Sequence, residues 1–505
     1  MNRSLARRLL LVFMLVAIPL LLAAAEYEKF PVNAELQKVF RDIPGGAVGR
    51  VRLINSGEEA WYARWSLLQS AHVSIDSTYF ILQDDIFGLS FLGMLKKKAD
   101  EGVKIRLMVD ARMIHQYFRM LGIDEFQDLL QNPNVQIRFY NGIPGSVGQF
   151  FKTGDLKFLS ASNHDKILIA DGKISITGGR NIGADYFVQP GESAIAYYDS
   201  DVVLDGEGLA KDLLKAFEDE WDILTNKIVK PDLINLVDQR WKLETARRAM
   251  EAYIDGGRTL DSTAASLPEK YRSQIAKFSE ELKVFEKLSS FAGFQMWRGE
   301  RARPVKIIDK VSIYGFKDQI GFNLSRFIEA ARSEIVFQNP YIILSEEARD
   351  LLRKASARGV RIILHTNGPK SIDVPEALAF FCKEWAELMR DIPTLKIYMA
   401  PDSMHQLHSK AVVFDGQIAL VGTYNLDPLS MVINSEEMAV IENPEFATMV
   451  RLRILHMTDE CVECVIKREA DGSITRVRGP EQDVTEAVLR KMKLLVKLNW
   501  LRPFL

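Results

Sequence analysis

Apolar, β-branched runs alternate with stretches of helical periodicity along this chain, and the alternation occurs twice. Residues 73–81 read as a strand, 88–100 as a helix and 103–109 as a second strand. In the second half, 334–338, 345–357 and 360–364 repeat the order strand, helix, strand. Gly102-Val103 and Gly359-Val360 close the two helices in the same way, since glycine tolerates the left-handed conformation common at helix ends. Farther on, 166–170 and 174–177 read as a hairpin turning at Asp171-Gly172, and 410–414 and 418–421 as one turning at Asp415-Gly416. Two matched sets of alternating strands and helices predict an α/β fold of two duplicated units packed together, with the functional site at their interface.

Three stretches lie outside the repeat. Residues 1–25 begin with Arg3, Arg7 and Arg8, continue in an uncharged, mostly apolar run from 9 to 25, and end in Ala23-Ala24-Ala25. That is the pattern of an export signal peptide, or of an uncleaved N-terminal anchor if no cleavage occurs. It implies a periplasmic or membrane-associated protein if the source is a bacterium. Residues 226–305 are helical in pattern and rich in charge, with amphipathic runs at 243–254 and 271–288. They read as a connector packing across both halves. Residues 485–500 form an amphipathic, locally basic segment with Arg490, Lys491, Lys493 and Lys497. Such a helix lies on an anionic membrane or buries its apolar face in the protein. The expected organisation is therefore 1–25, a first half at 26–225, the connector at 226–305, and a second half at 306–505 that ends in the amphipathic helix.

The two hairpins carry the chemistry. His164-Asp165-Lys166 is followed by Asp171 and then by Gly178-Gly179-Arg180-Asn181. His408-Ser409-Lys410 is followed at the same spacing by Asp415 and then by Gly422-Thr423-Tyr424-Asn425. Both copies read H-x-K-x4-D-x6-G-x-x-N, which is not plausible as accident among seven histidines. A hairpin of this length brings Asn181 back toward His164 and Asn425 back toward His408. The residue types suit a phosphodiester. One histidine can attack phosphorus while the other donates and then accepts a proton. Lys166, Lys410, Asn181 and Asn425 can hold the non-bridging oxygens, with Gly179 and Thr423 in the same cradle. Asp171 and Asp415 belong to the motif, and as turn residues they serve structure or chemistry.

Composition adds limits rather than direction. The chain has 505 residues, 47% of them hydrophobic and 26% charged, enough for two domain-sized cores. A net charge of −2 gives no overall basic footprint, which counts against a nucleic acid partner. Three cysteines make no disulfide framework, and Cys461-Val462-Glu463-Cys464 is a lone CxxC, structural or able to close a local disulfide. The acidic residues show no metal-ligand spacing, so neither metal nor cofactor is expected.

At the paired motif the chain resembles the phospholipase D superfamily, whose mark is this HKD motif in two copies. The segments around 75–81, 102–107, Gly179-Arg180-Asn181-Ile182-Gly183 with Tyr186, Asn425-Leu426-Asp427-Pro428 and Asn434-Ser435-Glu436 resemble the bacterial cardiolipin synthase branch. The resemblance implies a phosphatidyl transferase working through a phosphohistidine, with His164 as nucleophile and His408 as general acid and base. A secreted phospholipase D and, less favoured, a nuclease of the same superfamily share the motif. The implied partners are phospholipids, phosphatidylglycerol and possibly phosphatidylethanolamine, at a membrane surface, and the connector could then cover a lipid entrance. Each histidine should have a carboxylate to fix its tautomer. Glu436 stands at the family distance in the second half; in the first half Asp199 and Asp201 compete, with Asp201 preferred. Asp165 departs from the family pattern, which leads us to expect a neutral residue between the histidine and the lysine. An exposed acid there would disfavour phosphate.

Overall fold

The structure is a computed structural model. It describes residues 29–505 except 114–123, 189–195, 232–239, 261–268, 405, 485–489, 491, 493–494, 498 and 505. Residues 1–25, for which an export signal or anchor is expected, lie outside the described residues, as do Lys491 and Lys493 of the amphipathic segment and His115 and His405. Residues 33–505 form one compact unit.

In the first half the strands are β1 (Ala47–Ile54), β2 (Ser74–Tyr79), β3 (Lys104–Asp110), β4 (Val135–Tyr140), β5 (Ile167–Ala170), β6 (Ile174–Gly178), β7 (Tyr197–Tyr198), β8 (Asp201–Asp205) and β9 (Lys227–Ile228). The second half repeats them as β10 (Ala302–Lys310), β11 (Glu334–Gln338), β12 (Arg361–Asn367), β13 (Leu395–Ala400), β14 (Gln406–Leu407), β15 (Lys410–Phe414), β16 (Ile418–Gly422), β17 (Glu436–Glu442) and β18 (Val462–Glu463). Sixteen of these strands form one sheet in the order β18-β13-β12-β11-β15-β16-β17-β10-β1-β8-β6-β5-β2-β3-β4-β9. The order reads the same outward from the centre in both directions. The axis of this internal two-fold passes between β1 and β10, which pair antiparallel with Ala47 opposite Val305. The duplicated α/β architecture expected from the sequence is thus present, fused into one continuous sheet.

Local chemistry explains the elements. The helices Gly57–Ser70, Ile86–Asp100 and Glu346–Ala357 start where Ser56, Asp85 and Ser345 accept backbone N–H groups of the first turn. The hairpin turns need left-handed backbone, and Asp171 (φ 54°) and Asp415 (φ 47°) adopt it beside Gly172 and Gly416. The Asp171 carboxylate accepts the N–H groups of His72, Val73 and Ser74. Asp415 accepts those of Arg332, Ser333 and Glu334. Each motif aspartate therefore ties its hairpin to the start of the neighbouring strand, away from the histidines. That geometry gives the pair a structural task and no contact with a reacting group.

One face of the sheet carries a separate core for each half, and the other carries a core shared by both. The shared core runs from Val51, Ile167 and Val202 to Val305, Val413 and Ile441. Among the described residues of the connector before β10, the buried apolar positions pack on the first half. Leu243, Met250, Tyr253, Phe278 and Phe285 all join the first-half core, with helix Arg240–Ile254 against helix Ile86–Asp100. At the C-terminus, Met492, Leu495 and Val496 pack on the second-half core, so these apolar positions face protein. The cysteines are free, and the CxxC pair is divided, with Cys464 buried in the second-half core and Cys461 3.4 Å from His365 Nε2. Among the described residues no helix is long and apolar enough to cross a membrane.

Candidate active site

The internal two-fold brings the two motifs together by stitching the entry of each to the other half. Gln406 and Leu407 pair in parallel with Tyr197 and Tyr198, and the N–H of His408 donates to Tyr198 O at 2.8 Å. Symmetrically, Asn163 bridges Ser435, whose N–H donates to Ser162 O at 3.0 Å. His164, Lys166, His408 and Lys410 are all buried at this seam. Each lysine reaches back to a carbonyl of its own motif, Lys166 Nζ to His164 O at 2.6 Å and Lys410 Nζ to His408 O.

The carboxylates cross over. His164 of the first half meets Glu436 of the second, with both carboxylate oxygens 2.9 Å from Nδ1. His408 of the second half meets Asp199 of the first, Nδ1 to Oδ2 at 2.7 Å. Ser430 Oγ and Thr423 Oγ1 donate to Glu436, so the carboxylate is held as an acceptor and His164 Nδ1–H donates to it. The Nε2 atom then carries the lone pair.

Asp201, preferred from the sequence as a histidine partner, is elsewhere. It pairs with Arg64 at 2.8 Å and Arg180 at 3.1 Å, all three fully buried, because those two guanidinium groups need a counter-charge in the first-half core. Strand register shows which acid matches Glu436. Gly178 stands opposite Asp201 and Gly422 opposite Met438, so Asp199 and Glu436 occupy equivalent places two residues earlier. The chain hides this match, since Asp199 lies 18 positions after Asn181 and Glu436 only 11 after Asn425. Gly179 and Thr423 are also equivalent, and both serve these acids. A Cβ on Gly179 would lie 2.0 Å from Asp199 Oδ1, while the Thr423 hydroxyl contacts Glu436. Neither supplies a side-chain group to a phosphate.

Asn181 accepts the N–H of Ile81 at 3.0 Å and donates to the hydroxyl of Tyr186 at 2.8 Å. Asn425 is buried with no hydrogen-bond partner for Oδ1, an unsatisfied polar end at the seam. Aromatic rings wall both histidines. Phe80 stands edge-on to His164 at 5.0 Å, and Tyr186 and Tyr197 stack on each other at 4.5 Å with both set edge-on to His408. Arg453 was missed in the sequence. Its guanidinium reaches Ser200 Oγ at 2.5 Å beneath Asp199, and nothing in its local sequence marks it.

Asp165 is not exposed. It points away from His164 into the seam beside Glu437, to which Thr177 donates. Burial raises both acids, Glu437 to about 7 and Asp165 well above its usual range, so the pair holds a proton. The equivalent pair in the other half is Ser409 with Ser200, hydroxyl to hydroxyl at 2.9 Å. The departure that would have repelled phosphate is thus a neutralised structural contact on the far side of the strand.

The electrostatics favour two neutral imidazoles. Burial pushes His164 well below its usual range, and Lys166 and Lys410 push further. Burial and then Lys410 lower His408, against the pull of Asp199. Burial would raise Asp199, but His408 and Lys410 outweigh it and hold that carboxylate ionised. Burial lifts Glu436 to about 7 against the pull of Lys166, and drops Lys410 to about 7 against the pull of Asp199. A site with a free imidazole lone pair, a second histidine on an ionised carboxylate, and two lysines can carry out nucleophilic displacement at an anionic phosphorus centre.

Comparison with known proteins agrees with this geometry. Residues 65–221 and 324–457, more than half of the chain, match the family described as cardiolipin synthase, phospholipase D-like domain. The chain is 23% identical over 471 residues to cardiolipin synthase C of Escherichia coli, covering 88% of this chain and 94% of that one. It is 24% identical over 411 residues to cardiolipin synthase A of Proteus mirabilis, covering 80% and 68%. An uncharacterised protein of Helicobacter pylori is 22% identical over 432 residues, covering 82% and 80%. The crystal structure of phosphatidylserine synthase from Haemophilus influenzae superimposes with a TM-score of 0.61 at 12% identity, over 94% of this chain and all of that one, and so shares the fold. With two HKD motifs facing each other across the seam of a duplicated sheet, the chain belongs to the phospholipase D-like family of cardiolipin synthase type.

Proposed function

We propose that this protein is a phosphatidyl transferase that makes cardiolipin or a related phospholipid in two displacements. His164 Nε2 attacks the phosphorus of a phosphatidylglycerol donor. The bond from phosphorus to the headgroup oxygen breaks, and His408 gives its Nε2 proton to the departing alcohol. The phosphatidyl group is then held on His164. A hydroxyl of the second lipid, its proton taken by His408, attacks phosphorus and expels His164. Phosphorus thus exchanges one P–O bond for another, and each histidine returns to its starting state.

The observation that carries this reading is the exchange of carboxylates, Glu436 on His164 and Asp199 on His408. Each acceptor leaves one imidazole nitrogen aimed away from the carboxylate and stabilises the positive charge that its ring acquires during reaction. Lys166, Lys410 and Asn425 supply donors for the non-bridging oxygens, and the bound anion restores the proton affinity that burial takes from His408. Lipid substrates imply work at a membrane surface, and the export-like N-terminal segment agrees with a site outside the cytoplasm.

The test is product analysis. Purified protein is given phosphatidylglycerol vesicles with and without phosphatidylethanolamine, beside His164→Ala, and the lipids are read by mass spectrometry. Cardiolipin formed only by the intact protein is the expected result. Phosphatidic acid alone would reassign the enzyme to hydrolysis, and no lipid change from folded protein would sink the proposal.

A further inference from the structure

The two halves differ sharply in how they fill the space between their outer helices and the sheet. In the first half that space is packed with rings. Trp61 lies 5.0 Å from Phe87, 5.1 Å from Phe187 and 5.7 Å from Trp65, and Phe91 is buried in the same core. In the second half the corresponding space is a cavity of about 310 Å³.

The internal repeat identifies what changed. Ile75 stands opposite Ala170 just as Ile335 stands opposite Phe414, and helices Gly57–Ser70 and Gln319–Ala330 both end five residues before these positions. Counting back from there, Trp61 matches Gly321 and Trp65 matches Ser325. Counting back from Gly102 and Gly359, Phe91 matches Ala348. Counting on from Asn181 and Asn425, Phe187 matches Met431. Gly321, Ser325, Ala348 and Met431 all line the cavity. Four ring positions of the first half thus correspond to non-aromatic residues in the second. Interiors are normally filled to crystal density, so a void made by such replacements has room for a guest.

The chemistry of the guest follows from the walls. The cavity continues inward into a recess of about 50 Å³ lined only by aliphatic and aromatic side chains, from Ile328 and Phe337 to Leu388 and Leu395. Leu324, Leu344 and Leu426 line both parts. The outer lining carries the exposed Asp318 and Glu347, which repel an anionic group. Beside it the exposed Phe322 and Val432 adjoin Gly321 and Met431, and exposed Phe316 precedes Asp318. An apolar rim of this kind suits a lipid surface. The inner wall is close to the chemistry along the chain, since Tyr424 and Leu426 flank Asn425. Asp427 also accepts the N–H of Ser430, whose hydroxyl donates to Glu436, the partner of His164.

We infer that this cavity takes one acyl chain of the phospholipid whose phosphate lies between His164 and His408. The inference rests on the proposed lipid substrate and adds where that lipid is held. It also predicts that chain length and shape, and not only the headgroup, govern selection.

The experiment refills the space with the residues of the first half, as Ser325→Trp and Ala348→Phe in the full chain in detergent micelles. Neither residue touches the reacting groups, and melting curves confirm folding. Turnover of dipalmitoyl phosphatidylglycerol should fall at least tenfold in kcat/KM, while hydrolysis of water-soluble bis(p-nitrophenyl) phosphate stays within twofold. Unchanged lipid turnover in both variants would overturn the inference. A second readout does not depend on catalysis. Phosphatidylglycerol with a diazirine at one chain end is photolysed with wild type and with Ser325→Trp. Labelling of helices Gln319–Ala330 and Glu346–Ala357 in wild type, lost in the variant, supports the pocket. Labelling elsewhere, or equal labelling in both, removes it. A protein that labels there yet turns over no lipid would leave the pocket standing and defeat the transferase reading instead.

Discussion

Exchanging Asp199 for Asn separates the proposed mechanism from mere structure. The Asp199 carboxylate is buried and accepts from His408 Nδ1 at 2.7 Å. At an effective dielectric constant of about 20, opposite unit charges at that distance attract by roughly 6 kcal/mol, which bounds the support that Asp199 gives an imidazolium. Asn keeps a hydrogen bond and loses the charge, so a loss of about 4 kcal/mol is reasonable, near a thousandfold in kcat. KM should change little, because Asp199 bonds the Nδ1 side of His408 and not the reacting Nε2. Asp201→Asn is the control. It leaves Arg64 and Arg180 buried without their counter-charge, which costs about 3–5 kcal/mol of stability and no chemistry. Initial rates on phosphatidylglycerol micelles, read beside thermal melting, distinguish the two. Asp199→Asn within tenfold of wild type, or Asp201→Asn melting normally yet inactive, would refute the assignment.

Other predictions follow from the same geometry. Glu437 has its folded pKa raised to about 7, so its contribution is full below its unfolded value and is lost as pH rises toward and through 7; Glu437→Gln should flatten the fall in unfolding free energy over that window, by about 3 kcal/mol at its upper end, and an unchanged pH slope would count against the shared proton. Asp415→Ala should lose about 2–3 kcal/mol by stranding three backbone N–H groups, yet keep kcat within a few-fold in the protein that remains folded; a collapse of kcat at normal stability would restore a catalytic role. Lys410 gives up its proton near pH 7 in the free enzyme, so kcat/KM should decline above that pH, and Lys410→Arg, whatever activity it retains, should lack that limb; an identical alkaline limb in the variant would assign it to another group.

The features legible along the chain are local ones. β-branched runs and Asp-Gly turns mark the two hairpins, and the repeated spacing sets His164 with Lys166 and His408 with Lys410 because residues two apart in extended backbone share a face. The duplication and the phosphodiester chemistry follow from those residues without coordinates. The tertiary structure decided every relation across the seam. Glu436 serves the histidine 272 positions before it, and Asp199 the one 209 positions after it. No periodicity encodes such a pairing, which comes from the antiparallel junction of β1 and β10 and the two-fold it generates. Burial is equally nonlocal. Asp165 reads as an exposed acid along the chain and is buried beside Glu437 in the fold, while Asp201 reads as a histidine partner until Arg64, 137 residues away, claims it. The empty space behind Asn425 became legible only once the sheet register aligned Gly321 with Trp61. Neither residue is unusual in its own segment, and the difference matters because their helices cover the same place on opposite halves of one sheet.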